Sequence, residues 1–328
     1  MTTLSSKSRG AGAALALLLT SLVCRQAGAQ TTPKFEYGKA EVVKTVEWKA
    51  QAKGGVLVTG GNSSTANGTV GFSASRKEGS NKLALEGAFA YGTSRIYDVT
   101  STPDAVDPTK QVITAMTPRD AESTNNWLAK ARYDRFFTPN NAGYVTALTG
   151  GDKIAGKTFV GGGQIGYSRQ LLANDKHLLV AELGYDLSYE RYVQPRDKPA
   201  VDPVTIHSAR VFVGETLKLA PQTGLSGSVE ALFNLNKEGG ALNAKSTTNM
   251  KGVDAFADTR FIGKLGVTTT LVKSLSVGLG YTLKYDQNPA PRPVPASAPK
   301  GAVFGPAFNP FAETTDQLFE ATLVYTFL

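Results

Sequence analysis

The sequence has one cysteine, two histidines and two tryptophans in 328 residues, and it nowhere runs to eighteen consecutive apolar residues. Each shortage excludes something. Without a long apolar run, a membrane-spanning helix is ruled out. The single cysteine, Cys24, lies in an N-terminal targeting segment, so the exported chain has no thiol for a disulfide or a thiolate metal site. His177 and His207 are too few for a histidine-rich metal site, and no phosphate loop or dinucleotide motif is present, so no cofactor and no metal are expected. Gly161-Gly162-Gly163 sits inside a strand pattern, where small residues make room rather than cradle phosphate. No basic run is interleaved with aromatics, which argues against nucleic acid as a partner.

The first residues read as a signal peptide. Lys7 and Arg9 supply a positive start, Ala11 to Val23 a short apolar core, and Ala27-Gly28-Ala29 a small-residue cleavage site. Residues 1–29 are therefore expected to be removed after Ala29. Loss of Lys7, Arg9 and Arg25 takes the net charge from +8 to +5. Residues 30–45 form a polar leader, and residues 46–328 hold the folded unit.

What fills that unit is alternation. In the last stretch, Phe319, Ala321, Leu323, Tyr325 and Phe327 fall on one face, while Glu320, Thr322, Val324 and Thr326 fall on the other. That is the period of a strand with one greasy side. The same pattern recurs about twelve times, for instance with Leu183, Tyr185, Leu187 and Tyr189 against Glu182, Asp186, Ser188 and Glu190. Connections alternate between short turns near 79, 140, 174, 222 and 273 and mostly longer ones, including 96–121, 192–203, 237–254 and 287–313. All sixteen prolines fall outside the expected strands. Tyrosines and tryptophans gather on the apolar faces near strand ends, as in interfacial girdles. The fold expected is all-β: a transmembrane, antiparallel, up-and-down barrel of about twelve strands, with short periplasmic turns and long extracellular loops. It would sit in the outer membrane of a Gram-negative bacterium. A soluble sandwich, which also alternates, would not need its aromatics on the outside. One strand is irregular: Glu215 shares a face with Val211, Val213 and Leu217, implying a bulge or a paired charge.

Four stretches carry a family likeness: Val58-Thr59-Gly60-Gly61-Asn62-Ser63-Ser64, Tyr133-Asp134-Arg135-Phe136-Phe137, Tyr281-Thr282-Leu283-Lys284-Tyr285-Asp286-Gln287-Asn288-Pro289 and Leu323-Val324-Tyr325-Thr326-Phe327. With them the chain resembles the uncharacterised outer-membrane barrels labelled salt-induced outer membrane protein. The resemblance implies location more than mechanism. Here the loops 96–121 and 287–313 are longer than usual, and Leu328 follows the phenylalanine that usually ends such chains. Leu323, Tyr325 and Phe327 are expected to serve as the C-terminal signal to the barrel-assembly machinery.

Alternation also assigns an interior. In a ring of twelve, the first and seventh strands face each other. Lys49 and Lys53, with Lys284, Lys264 and Arg260 on neighbouring strands, make one wall basic. Glu182, Asp186, Glu190 and Glu230 make the facing wall acidic, and Lys130 and Arg132 also point inward. Two readings stay open. One is a narrow channel for small polar or charged solutes, crossed by a transverse field; the other is a closed structural or surface-binding barrel whose charges pair and plug it. An outer-membrane lipid hydrolase is the weakest reading. Neighbours on a strand point to opposite faces, so His207 and Ser208 make a poor dyad, and no enzyme is expected. Phe304, Phe308 and Phe311 place three aromatics in an exposed loop, suited to a lid or a partner contact.

Overall fold

Strands in hydrocarbon must leave no ladder amide unpaired, and the only sheet that achieves this is one closed on itself. A computed structural model of the chain describes residues 43–59, 65–103, 105–106, 111–194, 201–242, 251–290 and 311–327. It contains β1 (Val43–Thr59), β2 (Thr65–Gly79), β3 (Asn81–Pro103), β4 (Gln111–Thr138), β5 (Asn141–Asp152), β6 (Lys157–Ala173), β7 (His177–Tyr192), β8 (Val204–Ala220), β9 (Thr223–Asn234), β10 (Glu238–Leu242), β11 (Lys251–Val253), β12 (Arg260–Val272), β13 (Leu275–Asp286) and β14 (Thr315–Thr326). Twelve of these close into an antiparallel barrel in sequence order. β9 pairs directly with β12, and β10–β11 form a separate hairpin between them. The ring closes where β1 meets β14, from Gln51 opposite Thr326 to Gly54 opposite Leu323. The expected signal peptide, most of the leader, the Gly60–Ser64 turn and Leu328 lie outside the described residues.

The polarity is inverted relative to a soluble domain. Leu183, Leu279, Leu265, Ile165 and Leu323 stand on the outside with about half or more of their surface free, whereas Glu182, Asp186, Glu190, Arg132 and Arg210 are buried inside. Aromatics mark both ends of the apolar belt. Near the short turns, Tyr133 Oη donates to Asn81 at 2.6 Å and Tyr167 Oη bonds to Asn141, each anchoring a ring to a turn residue. Phe159 and Tyr167 on β6 lie eight residues apart. At 3.3–3.4 Å per residue that is about 27 Å along the strand. Tilted by roughly 40°, the strand would cover about 20 Å of membrane thickness.

Glu215 does face outward with Val211 and Val213, and the β7–β8 register runs through it unbroken, so the irregularity is a paired charge and not a bulge. Its Oε1 meets His177 Nε2 at 2.5 Å, close to the short-turn rim.

Two expectations are corrected. The stretch 96–121 is largely a two-stranded ribbon. β3 runs on to Pro103 and β4 starts at Gln111, pairing with each other from Ser94 opposite Ala121 outward. Consequently Pro103 and Pro118 lie within strands. The ribbon extends past the ring: β4 first meets β5 at Asn126 opposite Asp152, so among the described residues one edge of β4 at Pro118 has no strand neighbour. A proline is tolerated where its missing N–H faces a free edge. Pro118→Ala is therefore expected to change unfolding stability by no more than about 0.5 kcal/mol. Ala131→Pro, with β3 on one side and β5 on the other, should cost about 3 kcal/mol or more. Urea titration of vesicle-embedded protein, followed by the gel shift between folded and heated forms, measures both.

Candidate functional site

The interior is organised by two arginines and one glutamate. Alternation on β4, β7 and β8 turns Arg132, Glu182 and Arg210 inward. Arg132 grips Glu182 with both terminal nitrogens, at 2.7 and 3.1 Å, and donates to Asp134 Oδ1 at 2.7 and 2.9 Å. Arg210 donates to Glu182 Oε2, which it shares with Arg132, at 2.8 Å and to Glu230 at 2.5 Å. Tyr144 of β5 stands between the two guanidiniums. The Arg132 guanidinium lies 4.2 Å from its ring centre, and Arg210 Nη1 donates to its hydroxyl at 2.8 Å. Room for that hydroxyl comes from Gly166 and Gly184, where a Cβ would collide with it.

Toward the long-loop end a second group forms. Glu190 accepts from Lys157 at 2.8 Å, from Arg260 at 3.2 Å and from the Tyr192 hydroxyl at 3.2 Å. Lys157 also lies 3.5 Å from Asp286. Asp186 accepts from Gln164 at 2.9 Å and Ser188 at 2.7 Å. Above these groups lie residues 235–242 and 251–259, which carry β10 and β11. Fully buried Asn234 holds them, donating to the Glu238 carboxylate at 3.0 Å and to the Asp254 carbonyl at 3.0 Å, and accepting from the Asp258 amide at 2.9 Å. Tyr192, Val204, Ile206, Val253 and Ala290 pack together there.

Among the described residues, two larger cavities lie in the lumen. One of about 370 Å³ occupies the long-loop half, between Glu86, Gln164, Arg260 and Lys284. The other, of about 200 Å³, occupies the short-turn half, between Lys53, Arg210, Phe212 and Glu320. Both touch Lys130, Glu230 and Lys264, so they abut at mid-lumen.

The sequence-assigned charges therefore divide into three groups. Arg132, Glu182, Asp186, Glu190, Glu230 and Arg260 are drawn into the hydrogen-bonded groups above. Lys53, Lys130, Lys264 and Lys284 line the cavities, with Lys53 3.9 Å from Glu320. Lys49 does not join them. It lies at the short-turn rim, 46% exposed, 3.4 Å from Glu47. The acidic wall is thus clasped by cations and does not stand bare. Leu323, Tyr325 and Phe327 all face outward, as alternation requires. His207 bonds Tyr185 on the outside, while Ser208 is fully buried on the inside. Phe311 is 3% exposed, which corrects the expected exposed loop at that position. Phe304 and Phe308 lie outside the described residues.

Among the interior residues that escaped the sequence assignment are Arg210, Tyr144 and Lys157. Arg210 could have been found from Val211 and Val213, whose outward phase puts it inside. Tyr144 could have been found in the same way from Val145. Lys157 could not, because a register break between Lys157 and Phe159 turns it inward against simple alternation.

A family model described as "Protein of unknown function, DUF481" matches residues 52–327. The chain belongs to that family. No curated protein matches it. Among solved structures, the family member is similar to the NanC porin in a rhombohedral crystal form, with 8% identity and a TM-score of 0.42 over 85% of this chain and 100% of that one. It is similar also to the translocator domain of the autotransporter NalP from Neisseria meningitidis, with 10% identity and a TM-score of 0.37 over 86% and 88%. A Pseudomonas aeruginosa FadL homologue gives 10% identity and a TM-score of 0.36 over 85% and 75%. These are likenesses of barrel architecture, and no site or solute is carried over from them.

Two outcomes follow from the geometry. Glu182→Ala leaves two buried guanidiniums facing each other and is expected to cost about 3–5 kcal/mol, whereas replacing Arg132, Glu182 and Arg210 together by apolar residues of similar volume should cost far less. Urea unfolding in vesicles distinguishes them. The second outcome concerns pH. Burial pushes the Glu238 carboxyl up to about 7. Burial, and then the neighbouring Asp286, push Asp258 up to about 8 against the pull of Arg260. An acid raised in this way holds its proton longer when residues 235–242 and 251–259 are seated than when they are released. Seating is strongest near pH 4, weakens as pH rises, and reaches its floor above about pH 8. Amide exchange at Gly252 and Val253 should accelerate at least about tenfold between pH 5 and pH 9 beyond the intrinsic trend, and Glu238→Gln with Asp258→Asn should flatten that rise.

Proposed function

We propose that this chain is an outer-membrane β-barrel of a Gram-negative envelope whose interior is a narrow conduit for small polar or charged solutes. The observation that carries the reading is the inverted polarity: an apolar, aromatic-edged exterior around an interior lined by charge that still encloses two abutting cavities. A soluble protein would not hold Leu279 61% exposed on a closed ring while burying Glu182. Membrane lipid is the partner of the outer face. The assembly machinery would take the last strand through Leu323, Tyr325 and Phe327, after export and cleavage behind Ala29. The salt-responsive label belongs to this proposal too, as a statement of when the protein is made. The reading assigns no catalytic step.

Within the conduit, the field differs from two bare facing walls. Glu182 and Glu190 are neutralised by adjacent arginines and a lysine, so the cavity-lining lysines set the local potential. The closed, structural barrel is kept as a second reading because the Arg132–Glu182–Arg210–Tyr144 cluster fills the β4–β8 side and Asn234 ties Glu238, Asp254 and Asp258 over the long-loop end.

Planar-bilayer recording on refolded mature protein separates the two readings. The conduit predicts small, resolved open-channel currents. Lys53→Glu should then move the reversal potential under a KCl gradient toward cation selectivity. Protein that is folded by gel shift yet passes no current at any pH from 5 to 9 would leave the closed barrel standing.

A further inference from the structure

The short-turn rim carries cations on the side that faces away from the lumen. Arg135 on β4 and Arg169 on β6 are exposed and share the outward phase of Tyr133, Tyr167 and Leu171. Arg135 Nη1 donates to Asn81 Oδ1 at 2.7 Å, the same oxygen that accepts from the Tyr133 hydroxyl. Among the described residues Arg135 makes no ion pair, and Arg169 makes neither an ion pair nor a side-chain hydrogen bond. Acids elsewhere on this rim are already held: Asp134 by Arg132 inside, Glu78 by Arg76 at 2.5 Å and Glu215 by His177. The outward positions from Asn81 to Tyr91, Trp127 to Phe137, Asn141 to Gly151 and Phe159 to Leu171 contain no carboxylate. The turn after β6 adds Asp175 and Lys176, one of each sign.

Their depth is set by the tyrosines. Tyr133 and Tyr167 keep their rings in the apolar belt and their hydroxyls on turn residues, which marks the edge of the hydrocarbon. Each arginine stands two residues beyond one of them. At about 3.3 Å per residue and a tilt of roughly 40°, that is about 5 Å further out. The headgroup layer on each side of a hydrocarbon core is about 5–7 Å thick, so both guanidiniums stand at the level of lipid phosphates. The register also brings them together. Arg135 is opposite Gly143, Gly143 is opposite Tyr167, and Arg169 is the next outward position along β6. Two strand spacings and two residues of rise put the Cα atoms roughly 12 Å apart, within the span of two extended arginine side chains meeting one group. Gly143 places no side chain between them. The Phe137 ring, 67% exposed, lies across that glycine, with Cζ 3.0 Å from where a Cβ would stand.

We infer that this face of the short-turn rim binds the phosphodiester of an anionic phospholipid from the adjoining leaflet, held between Arg135 and Arg169 above the Phe137 ring. The planar fork of a guanidinium matches two phosphate oxygens at once, and these two forks meet no competing carboxylate on their own face. A zwitterionic headgroup brings an ammonium into the same positive field and loses part of that attraction, whereas a headgroup with net negative charge keeps all of it. Because the site lies on the outer face, it rests on the membrane placement proposed above and is independent of the conduit.

The test offers delipidated, refolded mature protein in detergent equal amounts of phosphatidylglycerol and phosphatidylethanolamine with the same acyl chains. Native mass spectrometry is expected to show the anionic lipid retained about fivefold or more over the zwitterionic one. Arg135→Gln with Arg169→Gln should bring that ratio close to one. Arg95→Gln with Arg119→Gln, which sit on the ribbon at the opposite end and pair with Asp120 and Asp98, should leave it unchanged. All variants are first checked for folding by heat-dependent gel mobility, and each single variant, expected to lower the ratio, is the fallback where the double variant fails to fold. Glycerol 3-phosphate in large excess should not displace the lipid; displacement would assign the arginines to a soluble phosphate ester and overturn the lipid site. Equal retention of the two lipids, or a preference that survives loss of both Arg135 and Arg169, would overturn the inference and leave the membrane placement intact. Protein that stays monomeric without detergent and retains neither lipid would overturn the placement itself.

Discussion

Closure of the ring governs the rest of the molecule. In hydrocarbon an unpaired backbone amide costs several kcal/mol, so a barrel with an open edge has no stable place in a membrane. The seam that prevents this is short: the β1–β14 register runs only from Gln51 to Gly54, with one further bond from the Phe327 amide to the Ala50 carbonyl at 3.0 Å. By contrast, β1 registers with β2 from Lys49 to Thr59 without a break. The ends of the chain thus supply the narrowest ladder in the barrel. The regular alternation of β14 has to hold to its last residues, because a slip of one position would turn Tyr325 and Phe327 inward and bring Glu320 to the lipid face.

The same constraint explains what could be seen without coordinates. An apolar outside and a charged inside impose a period of two on every ring strand, and that period placed Leu183 and Tyr185 outside and Glu182 and Asp186 inside. It fails where its cause is missing. The β3–β4 ribbon beyond Ser94 leaves the ring and has no lipid face, so residues 96–121 read as loop although they pair. β10 and β11 are five and three residues long, too short to show any period. Lys157 lies beside a register break that reverses its parity.

Parity tells which residues enter the lumen but not which of them meet. That depends on strand tilt and stagger around the ring. Arg132 reaching Glu182, three strands away, and Arg210 reaching Tyr144 by the same span are products of that stagger. Glu230 on β9 is held by Arg210 from the neighbouring β8.

The interior is consequently lopsided, and the lopsidedness has a cause. The arginine cluster takes its members from β4, β5, β7 and β8, the middle of the chain. The smaller cavity lies between β8 and β9 on one side and β12–β14, β1 and β2, which meet at the seam, on the other. Lys53 of β1 and Glu320 of β14 face each other across that seam at 3.9 Å. The middle strands can hold a dense buried ion-pair network because each is flanked by ladders that run unbroken past Glu182 and Arg210 and fix those side chains in place. The seam, with its brief register, carries small residues instead: Gly54, Gly55, Gly278 and Gly280. A Cβ at Gly280 would press on Glu320, and one at Gly278 on Thr322, so the space beside the seam is kept by glycine. The closure and the cavity beside it therefore share residues, with glycine on β13 leaving the space into which Glu320 projects toward Lys53.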